Sequence, residues 1–440
     1  MRQIAATAII ALAMSLAVVR ARAADETAVA PLLGPQTILV ARFNAAAFDP
    51  AAMDAWEKQM ASQLPEDVKG DAQSAVADRS ARVRRWVEAF TRAGGKRAYL
   101  LADLDLLPSN PVLLAAPVGE GADVQAMERA LRSGSVYPST SPSDEAAVAT
   151  ATQMIGKTLV VGDVHAIEAL KARTPLQRPE LDKAIAEAGD ATLVVAFIPS
   201  DETRKNLPDL APALARFFGG GKTDALSGVQ WAVVALTAPP KLALHAVIQC
   251  DDADSAKGVG ELLQTMLKSM AADKSMQNEM PGIVALTSAL SPAAQGDRLV
   301  VDLDAAAIEH DLAPAVLQQM GRQWRIGQYV KSASHISKLV SACRAYAADH
   351  GGQWPEHLAD AASYAGGEEK LKELMQNPLR PGEEDGYAYH RPAASAGGDS
   401  AVVFEKAAEH QKNINVGFAD GHVEMLDKQE FDRHFAPFNP

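Results

Sequence analysis

Near the carboxy terminus His410 is followed by nine residues and then by Asp420 and Gly421, with His422 next in line. Folded back on one another, His410, Asp420 and His422 could offer nitrogen and oxygen ligands to a transition metal. The plainer reading of His410, Asp420 and Gly421 is structural. Asp-Gly favours a two-residue turn with positive φ at both central positions. It separates Ile414, Val416 and Phe418 from Val423 and Met425, apolar residues that alternate with Asn415, Gly417, His422 and Glu424. A hairpin cornered at 420 and 421, each arm turning one apolar face to a core, is therefore expected.

Other chemistry is thinner. Gly219 to Thr223 ends like a phosphate loop but has Arg216 where the first glycine belongs, and it follows a helical pattern, so it predicts a helix stop. Asp251, Asp252 and Asp254 lack the glycine and terminal glutamate of a calcium loop; Asp252 or Asp254 is expected to cap the next helix. Cys250 and Cys343 fall on apolar faces of different segments and predict two separately buried thiols. No nucleophile elbow or His-Glu-x-x-His helix is present, so no catalytic residue is assigned and the expectation is a protein that is not an enzyme.

The elements that must carry the motif lie just upstream of it. Ser332 to His350 has Ile336, Leu339, Val340, Cys343 and Ala347 at helical spacing and stops at Gly351-Gly352. Gly352-Gln353-Trp354-Pro355-Glu356-His357-Leu358 follows, then short strands at Tyr387 to His390 and Val402 to Glu405. This quarter of the chain resembles the prepilin-type processing-associated domains with a His-x9-Asp-Gly signature, and the Gly-x-aromatic-Pro-x-x-Leu segment is similar to that of pseudopilin-G-like proteins. The resemblance implies a long helix on a small antiparallel sheet, a link to type II secretion or pilus-like assembly, and a Ca2+ loop near the sheet, for which Glu383, Glu384, Asp385 and Asp420 are the acidic candidates, Ca2+ taking about six to eight oxygens. It departs from the family in one place: Ala313 to Arg325 carries Gln and Arg where the family has its apolar anchor.

At the other end, Arg2, an apolar run from Ile4 to Val19 and Ala21-Arg22-Ala23 predict a signal peptide, 1–23, cleaved on export, with an uncleaved anchor as the competing reading. The run is short against the roughly 20 apolar residues of a span, so no stable membrane span is expected after cleavage. A net charge of −13 disfavours nucleic acid and anionic lipid as partners. Arg79, Arg82, Arg84, Arg85 and Arg92 are the local exception. They share a helix with Val76, Val83, Trp86, Val87 and Phe90 and predict a solvated face.

Between these ends the chain repeats. Thr37 to Phe43 matches Thr192 to Ile198 at an offset of 155, the helix starts at Ala122 and Ala253 match at 131, and Gly156 to Asp163 matches Gly296 to Leu303 at 140. Each copy reads strand, helix, strand, strand, helix, strand, which suggests a split β-α-β module with helices on one face of its sheet. Ala271 to Pro281 reads as a polar loop inserted in the second copy.

The fold class expected is α+β: tandem ferredoxin-like modules at 24–178 and 179–312, then a pseudopilin-like domain at 313–440. The function expected is that of an exported, non-enzymatic envelope protein in the periplasm or outside the cell, binding or scaffolding protein partners. No cofactor is specified beyond the calcium option. A hydrolase with a cleft between the modules, or a calcium-dependent adhesive or sensor module, is the alternative.

Overall fold

The computed structural model describes residues 29–435 apart from 46–47, 108–111, 134–149, 190, 208–223, 281, 381–382, 384, 394–396 and 407–411. The export signal expected at 1–23, the Gly219–Thr223 segment, Glu384 and His410 therefore lie outside the described residues. The chain divides into two compact units, Met1–Met320 and Gly321–Pro440, and both expected modules fall within the first. Helix and antiparallel sheet are mixed in each, an α+β architecture.

Ten strands make one sheet in the first unit: β1 Thr37–Phe43, β2 Ala98–Asp103, β3 Val112–Pro117, β4 Thr150–Ile155, β5 Thr158–Asp163, β6 Leu193–Phe197, β7 Val229–Thr237, β8 Ala243–Cys250, β9 Ala293–Gln295 and β10 Arg298–Leu303. Their spatial order is β4-β5-β3-β2-β1-β6-β7-β8-β10-β9. Read outward from the central β1·β6 pair, both halves run first, second, third, fifth, fourth. Ala41 lies opposite Val195 in that pair, and the outer registers make Leu100 equivalent to Val234, Leu114 to Ala246 and Leu159 to Leu299.

Two expectations are corrected here. A split β-α-β unit needs its first two strands parallel with a gap between them, yet β1 pairs β2 directly and antiparallel. Two helices, α1 Pro50–Ser62 and α2 Glu66–Arg92, connect these strands. They pack on each other, so the chain goes out and back and re-enters the sheet from the end it left. One helix would have delivered a parallel strand; α1 supplies the second. The register of the repeat also differs: β1 maps onto β6 at 154 (195 less 41), not 155. A slip of one residue would send every side chain to the other face, whereas at 154 Val40 and Val194 share one core. The match at 140 holds, with Gly156 and Gly296 taking φ of 59° and 63° in their hairpins.

Further helices are α3 Val124–Ser133, α4 Val164–Lys171, α5 Pro179–Ala188, α6 Ala253–Ala272, α7 Lys274–Glu279, α8 Ile283–Ala289, α9 Ala313–Asp349, α10 Glu368–Met375 and α11 Lys428–Phe435. Aspartates start many of them. Asp49 accepts from Ala51 and Ala52, Asp163 from His165 and Ala166, and Asp252 from Ser255, satisfying first-turn N–H groups. Asp273 does the same for α7, so the polar stretch Ala271 to Pro281 is not the loop expected; it carries a capped helix. One sheet face packs on α4 and α5. The other is covered by α2 and α3 over the first half and by α6, α8, the π-helical turn Ile308–Leu312 and the start of α9 over the second.

In the second unit, Ile336, Leu339, Val340 and Cys343 of α9 are fully buried. They pack on a sheet of β11 Tyr387–Tyr389, β12 Ala401–Glu405, β13 Asn413–Phe418 and β14 Val423–Asp427, in that spatial order. Gly351 and Gly352 end the helix, the Gly352 N–H closing on Ala347 O at 2.8 Å. β13 is buried on both faces rather than one. Ile414, Val416 and Phe418 share a core with Phe431 of α11, while a Cβ on Gly417 would come within 2.5 Å of Ile336 Cγ2 and 2.7 Å of Val340 Cγ2. The positions read as solvent-facing are the ones the long helix occupies. Met425, expected inside, is 53% exposed, and Leu426 takes the place opposite Ile414.

Candidate functional site

Over the second half of the large sheet, between it and its covering helices, lies a cavity of about 330 Å³. Its floor is the pleat of β7, β8 and β10, where Val234, Leu244, Ala246 and Val301 point inward at alternate positions. Its roof comes from Leu263 of α6, Leu286 of α8, Leu312 of the π-helical turn, Leu317 and Met320 of α9, and Trp56 of α1. The indole N–H of Trp56 donates to Glu309 Oε1 at 2.9 Å and ties α1 to the π-helical turn. π-Helical segments recur at functional sites.

The equivalent face of the first half is filled. Trp86 stacks on Phe90 at 5.2 Å between centroids and meets Phe43 at 5.3 Å, leaving a void of about 30 Å³. Same strand order, same face, opposite outcome: the fold does not require the larger space. Protein interiors rarely hold voids much larger than a water molecule. At about 24 cal/mol per Å³, one of this size left empty would cost several kcal/mol.

Among the described lining residues only Glu57 and Arg79 carry charge. Glu57 is 2% exposed and accepts from the Arg79 guanidinium at Oε1 and from the Ser80 hydroxyl at Oε2, 3.1 Å. Burial pushes its carboxyl above the usual range, with the Arg79 charge opposing the shift. Arg79 also approaches Met320 Sδ at 3.7 Å. It is therefore no part of the solvated face expected of Arg79, Arg82, Arg84, Arg85 and Arg92. Arg84 reaches Asp54, 3.3 Å, outside the cavity. One signal could have shown this: Met53, Trp56 and Met60 form an apolar stripe at helical spacing, and Glu57 is a charge set within it.

The motif residues form a different kind of place. Asp420, Gly421 and His422 come together, but in a three-residue connection: Gly421 N donates to Phe418 O and Phe418 N to His422 O, both 2.9 Å. The two-residue Asp-Gly turn expected is replaced by a turn through Ala419 and Asp420, with Gly421, φ 101°, at the bulge that follows. Asp420 accepts from His422 N at 3.0 Å and Nδ1 at 2.5 Å, bonds that hold its carboxyl below the ordinary range. The His422 ring stacks on Phe418 at 4.3 Å. Arg344 of α9 donates to Asp420 O, and a Cβ on Gly421 would meet the Arg344 guanidinium at 2.3 Å. Gly421→Ala should cost the second unit about 1–3 kcal/mol through its left-handed φ and this close approach. Chemical denaturation followed by far-ultraviolet circular dichroism reads the loss, and an unchanged midpoint would refute the structural role.

The other acidic candidates are held apart by separate partners. Glu383 pairs with Arg380 at 2.6 Å and Asp385 with Lys406 at 2.7 Å. Among the described residues no group of three or more His, Cys, Asp or Glu gathers as metal ligands would. Cys250 and Cys343 are free and buried, each in its own core. Burial pushes their thiols up to about 11 and about 12. Asp251, near the first of them, accepts from Arg204 and Gln230. No described helix is long and apolar enough to cross a membrane. Comparison of the chain with protein-family models, curated proteins and solved structures gave no match.

Proposed function

We propose that the chain is an exported, non-catalytic binding protein of the cell envelope. Its first unit, built of duplicated α+β modules, takes up a hydrophobic small molecule; its pseudopilin-like second unit engages protein partners, a type II secretion or pilus-like assembly being the partner class that the resemblance implies. One observation carries the binding reading: the cavity is open over the second half of the sheet where the equivalent face of the first half is packed with aromatic rings. Its volume sits at the lower end of the roughly 300–1,000 Å³ of small-molecule sites, and apolar cavities of this kind stay dry and accept apolar guests. No Ser, Cys or His is among the described lining residues, so the lining favours binding over the hydrolase reading.

Titration of the full chain with N-phenylnaphthylamine, a neutral dye that brightens in apolar surroundings, tests this. Saturable enhancement with one site per chain is expected. A linear, unsaturable response would remove the cavity from consideration as a site.

A further inference from the structure

We infer that the cavity selects uncharged single-chain lipids, long-chain alcohols or esters, and discriminates against the corresponding carboxylates. The inference rests on the binding reading and goes further, naming what the polar end of the ligand must be. Its basis is the way the hydrogen-bond donors at the cavity wall are already committed. The Arg79 guanidinium and the Ser80 hydroxyl both donate to Glu57, and the indole N–H of Trp56 donates to Glu309. Two donors that line the apolar space, on Arg79 and Trp56, and a third beside it on Ser80 thus serve two resident carboxylates. Around them the charges also close on themselves, Asp54 pairing with Lys58 at 2.8 Å and Arg84 at 3.3 Å.

A ligand carboxylate entering this wall would be a third anion. To be paired it must share the single positive charge of Arg79 with Glu57, a carboxylate that is 2% exposed, so that two anions would face one cation in an apolar wall. Removing one partner from a buried ion pair is strongly destabilising, and an unpaired ion in an apolar space is worse. An alcohol or ester carries no such demand: its chain packs against Leu244, Leu286 and Leu317, and its small polar end needs one weak partner or water. Selection here is by the cost imposed on the wrong ligand.

Displacement of N-phenylnaphthylamine from the full chain, at mildly alkaline pH where fatty acids are ionised, gives the test. Dodecanol and methyl laurate are expected to displace the dye at concentrations at least about tenfold below laurate. Glu57→Gln removes the resident anion beside Arg79, and the ratio of laurate to dodecanol affinity should rise about tenfold or more in that variant. Laurate binding to the unaltered chain as tightly as dodecanol would overturn the inference, and that comparison needs no variant to fold. An unchanged ratio in a folded Glu57→Gln protein would overturn it as well. If the dye binds and all three lipids compete equally, selectivity fails and binding stands; if neither dye nor lipid binds, the binding reading itself fails.

Discussion

Glu405→Ala is expected to cost the second unit about 3–5 kcal/mol, the largest single loss foreseen for this half of the chain. Glu405, at the end of β12, is wholly buried. It accepts from the Ser332 hydroxyl and from Asn415 Nδ2, 2.8 Å, at Oε1, and from the Asn415 backbone N–H, 3.2 Å, at Oε2. Tyr387 donates its hydroxyl to Ser332 Oγ at 3.1 Å, and Asn415 Nδ2 also reaches Tyr329 O at 3.0 Å. Burial drives the Tyr387 phenol far above its ordinary range, so it stays protonated as the donor this chain of bonds needs. The network thereby joins α9 to β11, β12 and β13. Alanine removes the shared acceptor, leaves buried donors facing a void and loosens three strands from their helix. Hydrogen exchange should show amide protection in β11 to β13 falling by about two orders of magnitude, while Glu405→Gln, which keeps one acceptor oxygen, loses less. A loss under about 1 kcal/mol in the alanine variant would mean the network does not hold the sheet to the helix.

Ala246→Phe should weaken N-phenylnaphthylamine binding by more than about tenfold. The residue faces the cavity from β8, at the register position that Leu114 holds in the first half. A ring there does what Phe43, Trp86 and Phe90 do on the equivalent face. Because it enters space that is already present, the stability of the variant should hold or rise. Unchanged dye affinity together with a stability loss of about 1–3 kcal/mol would show that position 246 is packed and the void illusory.

How much of this was readable from the chain differs by element. Strands such as β1, β5, β8 and β10 were legible as short runs rich in Val, Leu and Ile, and the hairpin glycines Gly156 and Gly296 fixed the 140-residue match. The topology was not, because it turned on α1. Its stripe of Met53, Trp56 and Met60 is short, and without it a single crossover helix implies the wrong strand order. The β1–β6 register was hidden for a different reason: runs of Val, Leu and Ala match almost as well one residue out of step, and only the strand registers traced inward from the 140-residue match of β5 and β10 resolve which face each side chain takes. On β13, Asn415 and Gly417 looked like the wet side of an alternating strand. They are small or polar because a helix lies against them, Gly417 for the approach of Ile336 and Val340 and Asn415 for the Glu405 network.

The cavity was the least legible feature. Its walls come from residues as distant in sequence as Met53 and Met320, and no local pattern records a space that side chains decline to fill. Glu57 and Arg79 were visible only separately, one as a charge among apolar neighbours and the other as a member of an arginine-rich helix. Their pairing depends on α1 and α2 lying together.

The most direct measurement is of intermolecular nuclear Overhauser contacts between dodecanol and the full chain, with the methyl groups of Leu and Val labelled. Contacts to Val234, Leu244, Leu286, Leu317 and Val301 are the expected result, with none to Leu114, Leu159 or Val161 on the filled half. Contacts confined to other methyl groups, or absent at saturating dodecanol, would contradict the assignment of this cavity as the binding site.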